Sequence, residues 1–114
     1  MRRTIVVGAG VIGLLSAYQL SLSGRQVVLL DSAAVGQESS WAGGGIVSPL
    51  YPWRYNPAVG ALAEWSQAFY PGLGERLLAS TGIDPQVYVS GLYWLDLPDE
   101  AAALAWAARE GRAL

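Results

Sequence analysis

Ile5-Val6-Val7-Gly8-Ala9-Gly10-Val11-Ile12-Gly13, followed by Leu14-Leu15-Ser16-Ala17-Tyr18-Gln19-Leu20-Ser21-Leu22-Ser23-Gly24-Arg25-Gln26-Val27-Val28-Leu29-Leu30-Asp31, is the stretch that decides the fold. It reads as strand, glycine turn, helix, strand, acid. Ile5 to Val7 is a β-branched run suited to a strand buried on both faces, as parallel strands are. Gly8 permits a tight turn out of that strand, Gly10 has no side chain to block a pyrophosphate, and Gly13 lets the helix lie close to the sheet. The first amides of the helix and its dipole then face the place where a diphosphate would sit.

The spacing GxGxxG is weak by itself in a chain with 14 glycines, and its surroundings strengthen it. Leu14, Leu15, Tyr18 and Leu22 fall on one helical stripe, Ala17 is a small residue one turn after Gly13, and Gly24 stands where the helix must end. Val27 to Leu30 form a second apolar strand. Asp31 closes it about 20 residues after the glycines, where a carboxylate can accept hydrogen bonds from an adenosine ribose. An acid there disfavours a 2′-phosphate, so NAD or FAD is expected over an NADP-type ligand.

Composition excludes several classes. The 114 residues are 53% hydrophobic and 14% charged, enough apolar material for a core and too much for disorder. A net charge of −2 without a basic cluster argues against nucleic acid. With no cysteine and no histidine, there is no disulfide framework and little to hold a transition metal, and the side chains most often used to tether a flavin covalently are missing. Met1, Arg2 and Arg3 before an apolar run imitate a secretory signal. The register of the glycines with Asp31, and the polar Gln19, Ser21 and Ser23, oppose that reading and any span of ~20 apolar residues. Arg2 and Arg3 read as a solvated lead-in, and a cytoplasmic location follows.

After Ser32 to Gln37 comes a second glycine-rich stretch, Glu38-Ser39-Ser40-Trp41-Ala42-Gly43-Gly44-Gly45-Ile46. Two hydroxyls followed by nearly bare backbone suit a surface that donates to phosphate and admits a flat ring. A flexible Gly/Ser loop is the bland alternative. A plain mononucleotide fold would place a further crossover helix and strand here.

These residues resemble the D-amino-acid oxidase superfamily of FAD-dependent amine oxidases, most closely its bacterial glycine oxidases of thiamine biosynthesis. The resemblance rests on the glycine start, Asp31, S-S-W-A-G-G-G-I, W-S-Q-A-F-Y-P-G-L-G-E-R-L at 65–77 and S-G-L-Y-W-L at 90–95. It implies non-covalent FAD, with Gly8, Gly10, Val11, Ile12 and Gly13 at the pyrophosphate, Asp31 and Ser32 on the ribose, and Ser39 and Ser40 on the phosphates. Gly44, Gly45 and Ile46 would line the flavin ring. It further implies oxidation of a small amine or amino acid by hydride transfer to the flavin. Ala33 and Ala34 stand where many relatives carry a basic residue, and Trp41 replaces a small residue of some glycine oxidases.

The fold class expected is α/β, the N-terminal part of a Rossmann-like FAD/NAD(P)-binding domain, with a βαβ unit running into the start of an α+β substrate domain. The divisions expected are 1–47, the FAD-binding unit with its second glycine loop; 48–86, an aromatic loop and helices; and 87–114, the start of the substrate domain. Ser48 to Tyr55 is proline- and aromatic-rich, its rings able to shield a flavin or to pack on the next helix. Asn56-Pro57 is a helix start, and Ala58 to Tyr70 places Val59, Leu62, Trp65 and Phe69 on a buried stripe. Pro71 kinks or restarts that helix, which resumes over Leu73 to Ser80 and stops at Gly82. Val87 to Ser90 and Leu92 to Leu97 read as short strands. Asp99 and Glu100 open a last helix, Ala101 to Arg109, with Leu104 and Ala105 inward.

Two strands are too few for a dinucleotide sheet of about five or six. The chain therefore reads as the N-terminal piece of a flavoenzyme, inactive alone and self-associating or completed by a missing portion. No acid–base catalyst stands out. Arg54 and Arg76 are the local candidates to anchor a substrate carboxylate. The alternatives are an NAD-dependent dehydrogenase and a non-catalytic remnant of a dinucleotide-binding module.

Overall fold

The computed structural model describes residues 3–112. The chain divides into two compact units, Met1–Ile46 and Val47–Leu114. Arg2 lies outside the described residues, whereas Arg3 belongs to a strand and donates from Nε to Gln26 Oε1 at 3.2 Å.

The first unit is a βαβ crossover. Strand β1 (Arg3–Val7) pairs in parallel with β2 (Gln26–Leu30), in the register Arg3 to Gln26 through Val7 to Leu30. Helix α1 (Val11–Leu22) joins them. Its end is a Schellman motif: Arg25 N–H donates to Leu20 O at 3.2 Å and Gly24 N–H to Ser21 O at 2.9 Å, with Gly24 at φ 79°. That closure turns the chain into β2 within three residues. A short helix α2 (Ser39–Ala42) occupies the second glycine-rich stretch, so its serines stand on a helical turn rather than in bare loop.

Burial in this unit alternates along both strands, which corrects the expectation of strands buried on both faces. Thr4, Val6, Val27 and Leu29 are half-buried, while Ile5, Val7, Val28 and Leu30 on the opposite face are exposed. On α1, Leu15 and Tyr18 are half-buried together with Gly13, Ala17 and Leu20, but Leu14 and Leu22 are exposed. A stripe of leucines therefore marks the helix without marking its packed face.

The second unit begins with a 3-10 turn (Pro52–Arg54) and continues through α3 (Pro57–Thr81) and α4 (Glu100–Arg109). Asn56 caps α3 as predicted, its Oδ1 accepting from Ala58 N–H at 2.9 Å, and Pro57 takes the first helical position. Pro71 removes one backbone donor, yet the helix runs unbroken through it to the left-handed Gly82. The buried stripe differs from the predicted one. Val59, Leu62 and Trp65 are exposed, Trp65 at 66%, whereas Phe69 is half-buried as expected, and the enclosed positions include Gly60, Ala63, Gln67, Tyr70, Leu73, Gly74 and Leu77. Small and polar residues let chain approach that side: a Cβ on Gly74 would lie 3.1 Å from Val87 Cγ2.

Residues 87–97 form no strand, because no neighbouring strand supplies their backbone partners among the described residues. On α4 the buried residues are Ala103 and Ala107, not Leu104 and Ala105. A second Schellman closure ends this helix, Arg112 N–H to Ala107 O at 2.9 Å and Gly111 N–H to Ala108 O at 3.4 Å.

Candidate functional site: the glycine turn and its neighbours

The turn from β1 into α1 is held from several sides. Gly8, at φ +100°, donates its N–H to Leu30 O at 2.8 Å, which keeps the turn in line with the end of β2. Ala9 is 1% exposed. Its N–H donates to Asp31 Oδ2, and its carbonyl accepts from Gly36 N–H at 2.9 Å. Gly13 is required sterically, since a Cβ there would stand 1.8 Å from Gly8 O. The predicted close approach is thus of helix to turn, with Val6 Cγ1 of the sheet farther away at 3.6 Å.

Helix α1 starts without a side-chain cap from its own N-cap residue, Gly10. Ser40 does that work from 29 residues away: its Oγ accepts from Val11 N–H at 2.8 Å. A Cβ on Gly10 would come within 3.1 Å of the same Oγ, so the bare backbone of Gly10 makes room for the serine. The next amides, of Ile12 and Gly13, have no acceptor among the described residues. They are the donors that a helix start offers to an anion. The Ser40 hydroxyl, accepting from Val11, retains its own proton to donate.

Asp31 sits at the mouth of this turn. Its Oδ2 accepts from Ala9 N–H, and its Oδ1 accepts from Ala33 N–H at 2.8 Å in an Asx turn. Those donors, the Ala9 amide foremost, hold the carboxyl below the ordinary carboxylate range against a smaller opposing effect of burial. Each oxygen still has a lone pair for a further donor.

The other predicted residues divide. Ser32 is exposed directly after Asp31, and Ser39 is exposed on α2 beside Ser40. Gly44, Gly45 and Ile46 follow α2 as exposed chain, with Gly45 at φ +76° and no atom within 4 Å of a Cβ built on Gly44 or Gly45. The hydrogen bonds given above do not bring these three onto the turn. Sequence reading missed the Ala9–Asp31 and Val11–Ser40 bonds. Only the Asx turn at Asp31-Ser32-Ala33 had a local signal.

In the second unit the candidate anchors are engaged. Arg54 donates from Nε and Nη2 to the two oxygens of Asp99, at 2.7 and 2.6 Å, and Trp53 Nε1 donates to Asp99 Oδ2 at 2.8 Å. The Arg54 guanidinium is also 4.2 Å from the centroid of Tyr51. Arg54 is therefore no free carboxylate anchor. Arg76 lies 5.1 Å from the centre of the Phe69 ring. The aromatic segment packs on itself and on α4: Trp53 meets Trp94 at 5.3 Å and Trp106 at 6.4 Å, and Trp94 Nε1 donates to Leu50 O at 2.7 Å. An open cavity of about 610 Å³ beside these rings is lined by Asn56, Gln67 and Trp106, and its charges pair internally, Arg112 with Glu64 and Arg109 with Glu110.

Among the described residues no group of histidine, cysteine, aspartate or glutamate could hold a metal, and no helix is long and apolar enough to cross a membrane.

The chain is 70% identical over 113 residues to a glycine oxidase of Pseudomonas putida, covering 99% of this chain and 31% of that protein. A glycine oxidase of Pseudomonas aeruginosa is 63% identical over 112 residues, with shares of 98% and 31%. A D-amino acid dehydrogenase of Xanthobacter autotrophicus is 35% identical over 91 residues, 76% of this chain and 20% of that one. The chain thus spans less than a third of the length of these curated relatives. The family of FAD dependent oxidoreductases matches residues 3–114, and the chain belongs to it.

Proposed function

We propose that this chain supplies the adenosine and pyrophosphate contacts for non-covalently bound FAD in an oxidoreductase acting on a small amine or amino acid, in the manner of a glycine oxidase. The reading is carried by one observation: the unpaired amides of Ile12 and Gly13, the Ser40 hydroxyl on Val11, and the Asp31 carboxylate all border one glycine turn. That donor and acceptor set fits the group. Amides and a hydroxyl suit a diphosphate, and a carboxylate suits the hydroxyls of a ribose.

In this reading Gly8, Gly10 and Gly13 give the diphosphate access, and Val11 and Ile12 lie against it. Asp31 and Ser32 receive the ribose, Ser39 and Ser40 donate to phosphate, and Gly44, Gly45 and Ile46 border the flavin ring. Bound flavin supplies the two-electron chemistry, accepting a hydride from the amine carbon. The chain's own residues bind and orient. We assign 1–47 to the cofactor, 48–86 to the aromatic segment and helices, and 87–114 to the start of a substrate domain. The identity to glycine oxidases supports glycine-like amines as substrates; a role in thiamine biosynthesis and a cytoplasmic setting belong to the same proposal.

The test is to purify the chain within the complete flavoenzyme that this reading implies, without added cofactor, record its visible spectrum and titrate it with FAD. It is then assayed for peroxide release from glycine and sarcosine. A flavin spectrum with amine-dependent peroxide is the expected result. A colourless protein that takes up no FAD would overturn the cofactor assignment, and a yellow protein silent toward both amines would overturn the substrate class.

A further inference from the structure

We infer that Asp31 is a positioning residue for the pyrophosphate site, not only a partner for a ribose, because its carboxylate fixes the glycine turn through the Ala9 amide. The inference rests on the FAD reading for its ligand but not for its geometry. Ala9 is the hub of the turn: it is buried, its N–H goes to Asp31 Oδ2, and its carbonyl takes Gly36 N–H. Its neighbours Gly8 and Gly10 lack side chains, so no side chain of theirs anchors the turn on either flank. Hydrogen bonds must do so. A second amide, from Ala33, holds the other carboxylate oxygen, which fixes the acid itself before any ligand arrives.

The consequence concerns charge as well as shape. A carboxylate beside a diphosphate is a like charge and by itself weakens anion binding. If Asp31 served a ribose alone, its removal would leave inorganic pyrophosphate binding unchanged or tighter. If it positions the turn, removal releases Ala9, misaligns the Ile12 and Gly13 amides and weakens pyrophosphate binding although a negative charge has gone.

The experiment uses the flavin-free protein. Amide hydrogen exchange at Ala9 is measured in the parent, in Asp31→Ala and in Asp31→Asn, which keeps shape and one acceptor oxygen. Pyrophosphate is then titrated while the Ile12 and Gly13 amide resonances are followed. Loss of a charge-assisted hydrogen bond should speed Ala9 exchange by about tenfold or more in Asp31→Ala, with weaker pyrophosphate binding and an intermediate Asp31→Asn. Unchanged Ala9 exchange, or pyrophosphate binding equal to or tighter than the parent's, overturns the inference. Weaker FAD binding alongside either result places Asp31 on the ribose alone and leaves the proposed function intact. A parent protein that binds pyrophosphate in this way but not FAD sustains the positioning role while refuting the proposed function.

Discussion

The two units of this chain are held by different means. In Met1–Ile46 the decisive contacts are backbone ones: a parallel register, a Schellman closure, and a glycine turn whose amides and carbonyls find Leu30, Asp31 and Gly36. In Val47–Leu114 they are side-chain ones, an indole cluster around Trp53 and the Arg54–Asp99 pair that ties the 3-10 turn to the start of α4. Backbone demands leave a residue-type signature because only certain residues satisfy them. Side-chain packing among aromatics is written far less legibly.

The sharpest way to break the contrast is Gly13→Ala. One methyl group 1.8 Å from Gly8 O cannot be absorbed by a flexible side chain. The helix must move off the turn, at a cost on the order of 3 kcal/mol or more. Urea unfolding should register that loss, and a midpoint within experimental error of the parent's would mean that the turn is looser than described. In the second unit the comparable change is Trp53→Ala, which takes one indole away from Tyr51, Trp94 and Trp106 at once. Because Trp53 is only half-buried, a loss of about 2–3 kcal/mol is expected, below the usual core range. Near-UV circular dichroism should lose intensity in its indole region in parallel.

Why the first unit was legible follows from particular residues. Gly8, Gly13 and Gly24 each meet a steric or conformational demand within their own turn, so their spacing announces strand, turn, helix and strand. Asn56-Pro57 announces α3 in the same way. The helix faces were read less well. Apolar periodicity places Val59, Leu62 and Trp65 on one side of α3, and the structure encloses the side carrying Gly60, Ala63 and Gln67 instead. Periodicity reports that a helix has two faces and is silent on which one meets this chain. Residues 87–97 failed for a related reason, since a strand exists only with a partner to complete its hydrogen bonds. In the site, sequence singles out Asp31 and Ser40 as expected ligand contacts, but their bonds to Ala9 and Val11 join residues 22 and 29 positions apart and carry no local signal.

Acid sharpens the comparison further. Asp99 is held well below the ordinary 3.8 by the Arg54 hydrogen bonds first and Trp53 second, and the same pairing raises Arg54. A carboxyl with a depressed folded pKa gives stability that is full above its unfolded value and is lost as pH falls through the folded one. The pair should therefore contribute a constant amount from neutral pH down to about 4 and a declining amount below. Asp99→Asn should flatten that acid limb in urea midpoints measured against pH. An unaltered limb would mean that Asp99 is not paired in solution.

The smallest effect is a gain. Gly60 lies inside α3, without positive φ and with nothing within 4 Å of an added Cβ. Gly60→Ala should stabilise the second unit by roughly 0.5–1 kcal/mol through helix propensity. Glycine is thus dispensable there and indispensable at Gly13, a difference that thermal unfolding of the two variants reads directly.

The cradle proposed for the diphosphate of FAD is the preformed turn at Gly8 to Gly13. It is tested most directly by calorimetric titration of the flavin-free protein, parent and Gly10→Val, with FAD and with ADP, which shares the adenosine diphosphate portion. The parent should bind both. Gly10→Val, whose side chain is driven toward Ser40 Oγ at the helix start, should remain folded by circular dichroism and bind neither. A parent that binds neither ligand, or a Gly10→Val protein that binds both as the parent does, would contradict it.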